Sequence, residues 1–199
     1  MFVSTKTTHH MKTTATRIPV KRPQPARTAR PVDDLLFIIA PPPHIKSDVA
    51  VLKDDVQYLV GHTLPDRFTP AHITLFRYAD VHGKDMLDLI QKKASTLQPF
   101  NIFLKDFGVA RQGEHRTIYL DIVNKYPIRE LFEQLVKEDS TYVPTLPVAR
   151  DLSSEDFLKC WPYLQGLKYS NQHFLCDRIT VLQRQGKRWQ HLTDIPLAA

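Results

Sequence analysis

His72 and Thr74 are the two residues of this chain best placed to do chemistry. They fall in Pro70-Ala71-His72-Ile73-Thr74-Leu75-Phe76, which reads as a β-strand. Residues two apart in a strand point to the same side. One face therefore carries an imidazole beside a hydroxyl, and the other carries Ile73 and Leu75. Histidine transfers protons near neutral pH and a threonine hydroxyl donates to a phosphoryl oxygen, so the pair suits a phosphate group. A His-x-Thr also arises by chance on any strand whose polar side meets solvent, and spacing alone does not separate the two.

The frame around this strand runs twice. A helix, the 70–76 strand, a helix and a strand are followed by a helix, Pro144-Thr145-Leu146-Pro147-Val148-Ala149-Arg150, a helix and a strand. Aligning His72 with Thr145 sets Thr74 on Pro147 and Leu75 on Val148, at an offset of 73 residues. Two such strands related by a pseudo-two-fold axis would face each other across a central groove.

The remaining elements must hold these strands. Leu35 to Ala40 is a buried strand stopped by Pro41-Pro42-Pro43. Ser47 is a good N-cap for a helix bearing Val49, Leu52, Val56, Leu59 and Val60 and closed by Gly61. Met86, Leu87, Ile90, Ala94 and Leu97 mark a second helix. The stretches 100–109 and 117–123, joined around Gly113, form a hairpin. Pro127 opens a third helix and Ser153 with Asp156 caps a fourth. Phe174 to Gln183 and a final strand around Trp189 close the chain. Helices that alternate with tight hairpins indicate an α+β fold with a largely antiparallel sheet.

Composition excludes several classes. With 42% hydrophobic and 24% charged residues in 199, the chain is no disordered polymer. No apolar run nears the roughly 18 residues that span a bilayer, so no membrane partner is expected. The 6 glycines are scattered, which argues against a Rossmann or P-loop nucleotide site. Cys160 and Cys176 are too few for a disulfide framework or a cysteine zinc site and are expected to be buried free thiols. The net charge of +6 sits in the first 30 residues, whose seven Lys and Arg meet no acid, leaving −1 for the rest. That segment, broken by Pro19, Pro23 and Pro25, is expected to be a disordered basic tail ahead of one domain over 31–199. It has no apolar signal core, and cytoplasm is the expected location.

Several of these stretches resemble a family. Pro-x-His-Ile-Thr-Leu-Phe at 70–76 is similar to the first motif of the two-histidine phosphoesterases, the 2′–5′ RNA ligase-like proteins. Pro-Phe-x-Ile-x-Leu at 99–104, Arg-Thr-Ile-Tyr-Leu-Asp at 116–121 and the closing Asp-Arg-Ile-Thr-Val-Leu with Gly-Lys-Arg-Trp fit its pattern. The resemblance spans about residues 34–195. It implies two pseudo-symmetric lobes of antiparallel sheet around a groove, in which two His-x-Thr/Ser strands act on cyclic or 2′–5′ phosphodiesters of RNA or nucleotides, as general base and general acid, without a metal or other cofactor. By this resemblance His72 is the catalytic residue, and Thr74, Thr145 and Arg150 contact substrate.

The second motif departs from the pattern. Thr145 stands where the second histidine belongs and Pro147 where the second hydroxyl belongs, while Ala149-Arg150 is kept. Losing one positioned acid or base costs roughly 10²–10⁴ in rate, so the chain is expected either to turn over weakly or to act as a binding module. Pro147 also suits an edge or bulged strand better than a central one. Tyr119 belongs either to the groove, as a substrate contact, or to the core. Arg150 either holds phosphate or pairs with a neighbour such as Asp151, and Arg77 has the same two alternatives. Among the other histidines, His115 and His173 lie at strand ends that can line a groove. A monomer is expected.

Overall fold

The computed structural model describes residues 33–136, 141–170 and 172–198. The basic tail lies outside the described residues. The elements, in order, are β1 (Asp33–Ile39), α1 (Pro43–Val60), β2 (Ile73–Asp80), α2 (Gly83–Ala94), β3 (Phe100–Gln112), β4 (His115–Ile122), α3 (Lys125–Val136), β5 (Leu146–Leu152), α4 (Ser154–Leu164), β6 (His173–Cys176), β7 (Arg178–Gln185) and β8 (Arg188–Pro196). They form an α+β fold with two four-stranded sheets, ordered β2-β1-β7-β8 and β5-β4-β3-β6, antiparallel throughout.

The two sheets share one continuous apolar core. Phe37, Ile73 and Val181 from the first and Ile102, Ile118 and Leu120 from the second are all buried in it. Helix α1 packs on α4 and on β5, while α2 packs on α3 and on β1, β2 and β8. Ile45, Val49, Leu52, Val56 and Val60 line the buried face of α1 at the spacing an amphipathic helix requires. This helix starts four residues before the N-cap expected at Ser47. Pro43 occupies its first turn, where the missing N–H costs nothing because that donor has no intrahelical acceptor. Gly61 closes it at φ 81°, donating its N–H to the Gln57 carbonyl at 3.0 Å.

The pairing carries the internal repeat. Leu75 is skipped between the pairs Thr74–Ile38 and Phe76–Phe37, forming a β-bulge. Val148 is skipped in the same way between Pro147–Tyr119 and Ala149–Ile118. The bulges fall on residues that the 73-residue offset equates, so the repeat exists at the level of register. β2 and β5 are both edge strands, which is where a proline without an N–H is tolerated.

One expected element divides. The stretch read as one strand from Phe174 to Gln183 breaks at Asp177 into β6, paired with β3, and β7, paired with β1. Ser153 caps α4 as expected, its hydroxyl oxygen accepting from the Asp156 N–H at 3.1 Å. Cys160 and Cys176 are free and buried, and burial pushes their thiols up to about 11 and about 12.

Candidate functional site

His72 stands at the head of β2, half-buried between buried Ala71 and Ile73. Its Nδ1 lies 2.8 Å from the Pro70 carbonyl oxygen. A carbonyl only accepts, so Nδ1 carries the proton and Nε2 keeps a free lone pair in the neutral ring. Burial is the main influence on this imidazole and holds its pKa below the usual histidine value. The bond to Pro70 and the Asp66 charge oppose that pull, and the positive charges of Arg150 and Lys53 reinforce it. The group is therefore neutral at pH 7, with one fixed donor and one available base.

Two residues on, Thr74 opens into a cavity of about 380 Å³. Thr74 and Leu75 from β2, Ala110 from β3, Thr117 and Tyr119 from β4 and Pro147 and Arg150 from β5 line it, with Tyr142, Val143 and Thr145 from the segment before β5. Four residues singled out from the sequence, Thr74, Thr145, Arg150 and Tyr119, thus share one space. His72 is not part of the lining; it sits next along the strand, close enough for the Arg150 charge to act on it.

The strand pattern places these groups. Ile118, Leu120 and Ile122 are buried, so Thr117 and Tyr119 point to the other face of β4. Tyr119 pairs with Gly108 across β3 and with Pro147 across β5. A Cβ at position 108 would stand 2.6 Å from the Tyr119 ring, so the ring lies where only glycine leaves room. β5 carries a second irregularity, in which Arg150 and Asp151 together oppose Thr117. Asp151 there takes a left-handed backbone, φ 55°, a conformation that aspartate tolerates better than most residues.

Charge in the cavity is unbalanced. Arg150 is half-buried and forms no ion pair among the described residues, Asp151 included. Arg77, by contrast, is exposed and held by Asp34 through two 2.6 Å contacts. Tyr142 donates its hydroxyl to the Thr74 carbonyl at 2.8 Å and stacks on Phe132 at 4.3 Å. Burial pushes that phenol far above its ordinary value, so it stays protonated and serves as a brace, not a base.

The other histidines lie elsewhere. The His115 ring approaches the Asp151 carbonyl from the exposed end of β4. His173 lines a separate cavity of about 770 Å³ with His44 and His191. Sequence reasoning missed Thr117, whose i, i+2 spacing from Tyr119 was the available signal. It also missed Lys53, a lysine on the apolar face of α1 that is 5% exposed.

Two four-stranded antiparallel sheets with a repeated bulged strand, and a cavity lined by hydroxyls and Arg150 with His72 beside it, define an α+β protein built on two similar halves. Residues 41–188 match the model of the 2′-5′ RNA ligase superfamily, and the chain belongs to that superfamily. No curated protein matches it. Among solved structures, TT0787 of Thermus thermophilus superposes with a TM-score of 0.59 at 15% identity, covering 82% of this chain and 97% of its own. LigT of E. coli in apo form gives 0.57 at 16% identity, covering 84% and 99%. LigT complexed with 3′-AMP gives 0.53 at 18%, with the same coverage. At these identities the likeness is one of fold.

Proposed function

We propose that this chain binds a phosphodiester of RNA or of a nucleotide in the Thr74–Arg150 cavity and cleaves it slowly, with His72 as its general base. The observation that carries this reading is the half-buried Arg150 guanidinium, without a carboxylate partner among the described residues, in a space also lined by Thr74, Thr145 and Tyr119. A half-buried guanidinium attracts an anion, and its planar fork suits two phosphoryl oxygens. The hydroxyls around it donate to the remaining oxygens. His72, neutral with Nε2 free, takes the proton of an attacking hydroxyl or water. LigT has been crystallised with 3′-AMP, with phosphate and with ATP, in keeping with this class of ligand.

The missing partner sets the rate. Among the described lining residues the groups with a proton to give are hydroxyls, Arg150 and phenols, none of which is a good acid near pH 7. The leaving oxygen departs without efficient protonation, so slow turnover is expected. The same observation supports a second reading, a nucleotide- or RNA-end-binding module without turnover. Hydrolysis of 2′,3′-cyclic nucleotides and 2′–5′ dinucleotides, measured beside a binding titration, separates the two. Slow hydrolysis abolished in His72→Ala supports catalysis; binding without hydrolysis supports the module; neither result overturns both.

A further inference from the structure

His72 lies between two cavities. Thr74 and Leu75 line the one described above, and Pro70 and Ala71, just before His72, line another of about 320 Å³. Its remaining wall is Lys46, Ser47, Val49, Ala50 and Lys53 from α1, with Arg67, Phe68 and Thr69 from the loop leading to β2. Among the described residues three cations line it and no carboxylate does. Lys46 has no acidic partner among the described residues. Lys53 and Arg67 are tied to Asp66 and Asp54, neither of which reaches the lining.

Phe68 stands over this cavity 83% exposed, a large apolar area to leave in water. The loop that carries it is anchored. Lys53 Nζ, buried, donates to the Asp66 carbonyl at 2.7 Å and to the Thr69 carbonyl at 3.0 Å, clamping the loop on both sides of Phe68. Arg67 adds an ion pair to Asp54 and lays its guanidinium over the ring at 5.3 Å. The anchored loop thus presents an exposed aromatic face beside the unpaired Lys46, with the ion-paired Lys53 and Arg67 around it.

From this we infer that the Phe68–Lys46 cavity is a second nucleotide subsite, in which a base of single-stranded RNA stacks on Phe68 and the adjoining phosphate meets Lys46. A positive groove with a stacking aromatic is the general solution for holding single strands, and it tolerates any base. The inference rests on the reading that the Thr74–Arg150 cavity holds a phosphodiester. It makes the substrate an oligonucleotide, with the reacting phosphate at His72 and its neighbour on the α1 side.

The test uses the full chain, with a single-stranded RNA pentanucleotide, a 3′-mononucleotide and tripolyphosphate as probes at physiological salt. The pentanucleotide is expected to bind at least about tenfold tighter than the mononucleotide, the scale of one stacked base. Phe68→Ala should abolish that advantage and leave mononucleotide affinity unchanged, Phe68→Trp should keep it, and Lys46→Ala should weaken the pentanucleotide severalfold. If the mononucleotide binds and the pentanucleotide gains nothing, or Phe68→Ala changes nothing, this inference fails while the first cavity stands. If tripolyphosphate gains as much as RNA, the cavity is a polyanion site and stacking is refuted. If neither nucleotide binds, both readings fall.

Discussion

Arg77 and Arg150 occupy the same position in two copies of one substructure, 73 residues apart, and among the described residues Arg77 is paired with a carboxylate while Arg150 is not. Leu36 opposes Arg77 in β1, and Asp34, two residues away on the same face, takes its guanidinium in two 2.6 Å contacts. At the equivalent place in the second sheet, an extra residue in β5 sets Arg150 and Asp151 together against Thr117. The first arginine is tied to its own sheet through Asp34, and the second faces the cavity lined by Thr74 and Tyr119.

The two arginines should therefore respond differently to removal. Arg150→Gln is expected to weaken phosphate or 3′-nucleotide binding at least about tenfold, the loss of a charge-assisted bidentate contact. Arg77→Gln should leave that affinity unchanged. Calorimetric titration of both variants checks this; equal losses would show that the second cavity wall is not special.

Gly108 and Tyr119 form a pair in which size decides geometry. Gly108→Ala puts a methyl 2.6 Å from the Tyr119 ring, so the ring must move off β3 into the cavity. The strain expected of overpacking is roughly 1–3 kcal/mol, and nucleotide affinity should fall with it. Adding Tyr119→Ala should return most of the stability. Thermal unfolding of the single and double variants reads the coupling, and additive losses would mean that the ring had another way out.

His72 should titrate below the ordinary histidine value. Burial depresses it, and Arg150 and Lys53 add repulsion of the protonated form. The folded chain then holds this proton more weakly than the unfolded chain. The stabilising contribution is complete above the unfolded pKa and is lost as the pH falls from there through the folded value. An NMR titration of the imidazole should show the low midpoint, and Arg150→Gln should raise it. A midpoint at or above the ordinary histidine value would remove the free-base argument for Nε2.

Thr145 and Pro147 border the same cavity as Thr74, so restoring the missing groups places them in the right space. Thr145→His with Pro147→Thr is expected to cleave cyclic or 2′–5′ phosphodiesters at least about tenfold faster than the parent. Thr145→His alone should recover less, because the phosphate still lacks one hydroxyl. Initial rates against pH should become bell-shaped only when His72 is also present. A parent that already shows such a profile has a second proton-transfer group outside this cavity.

Much of the fold and part of the site were legible in the chain itself, because local rules set them. Alternation put Ile73 and Leu75 inside and His72 and Thr74 on the other face. The apolar spacing of α1, the Ser153 cap and the Gly113 turn are decided by residues within a few positions of one another. The offset linking His72 to Thr145 needs only two stretches of sequence, and the bulges at Leu75 and Val148 follow it. What the tertiary structure decided depends on partners far along the chain. Whether Tyr119 faces core or cavity turns on Gly108 beneath it and Pro147 beside it. That β6 and β7 part at Asp177 follows from hydrogen-bond vacancies on β3 and β1, which no pattern within 173–185 records. Arg77 and Arg150 sit in similar local sequence, and their difference lies in Asp34, 43 residues from one and without a counterpart for the other among the described residues. Electrostatic pairing is settled by distance in space, and only the folded chain fixes that distance.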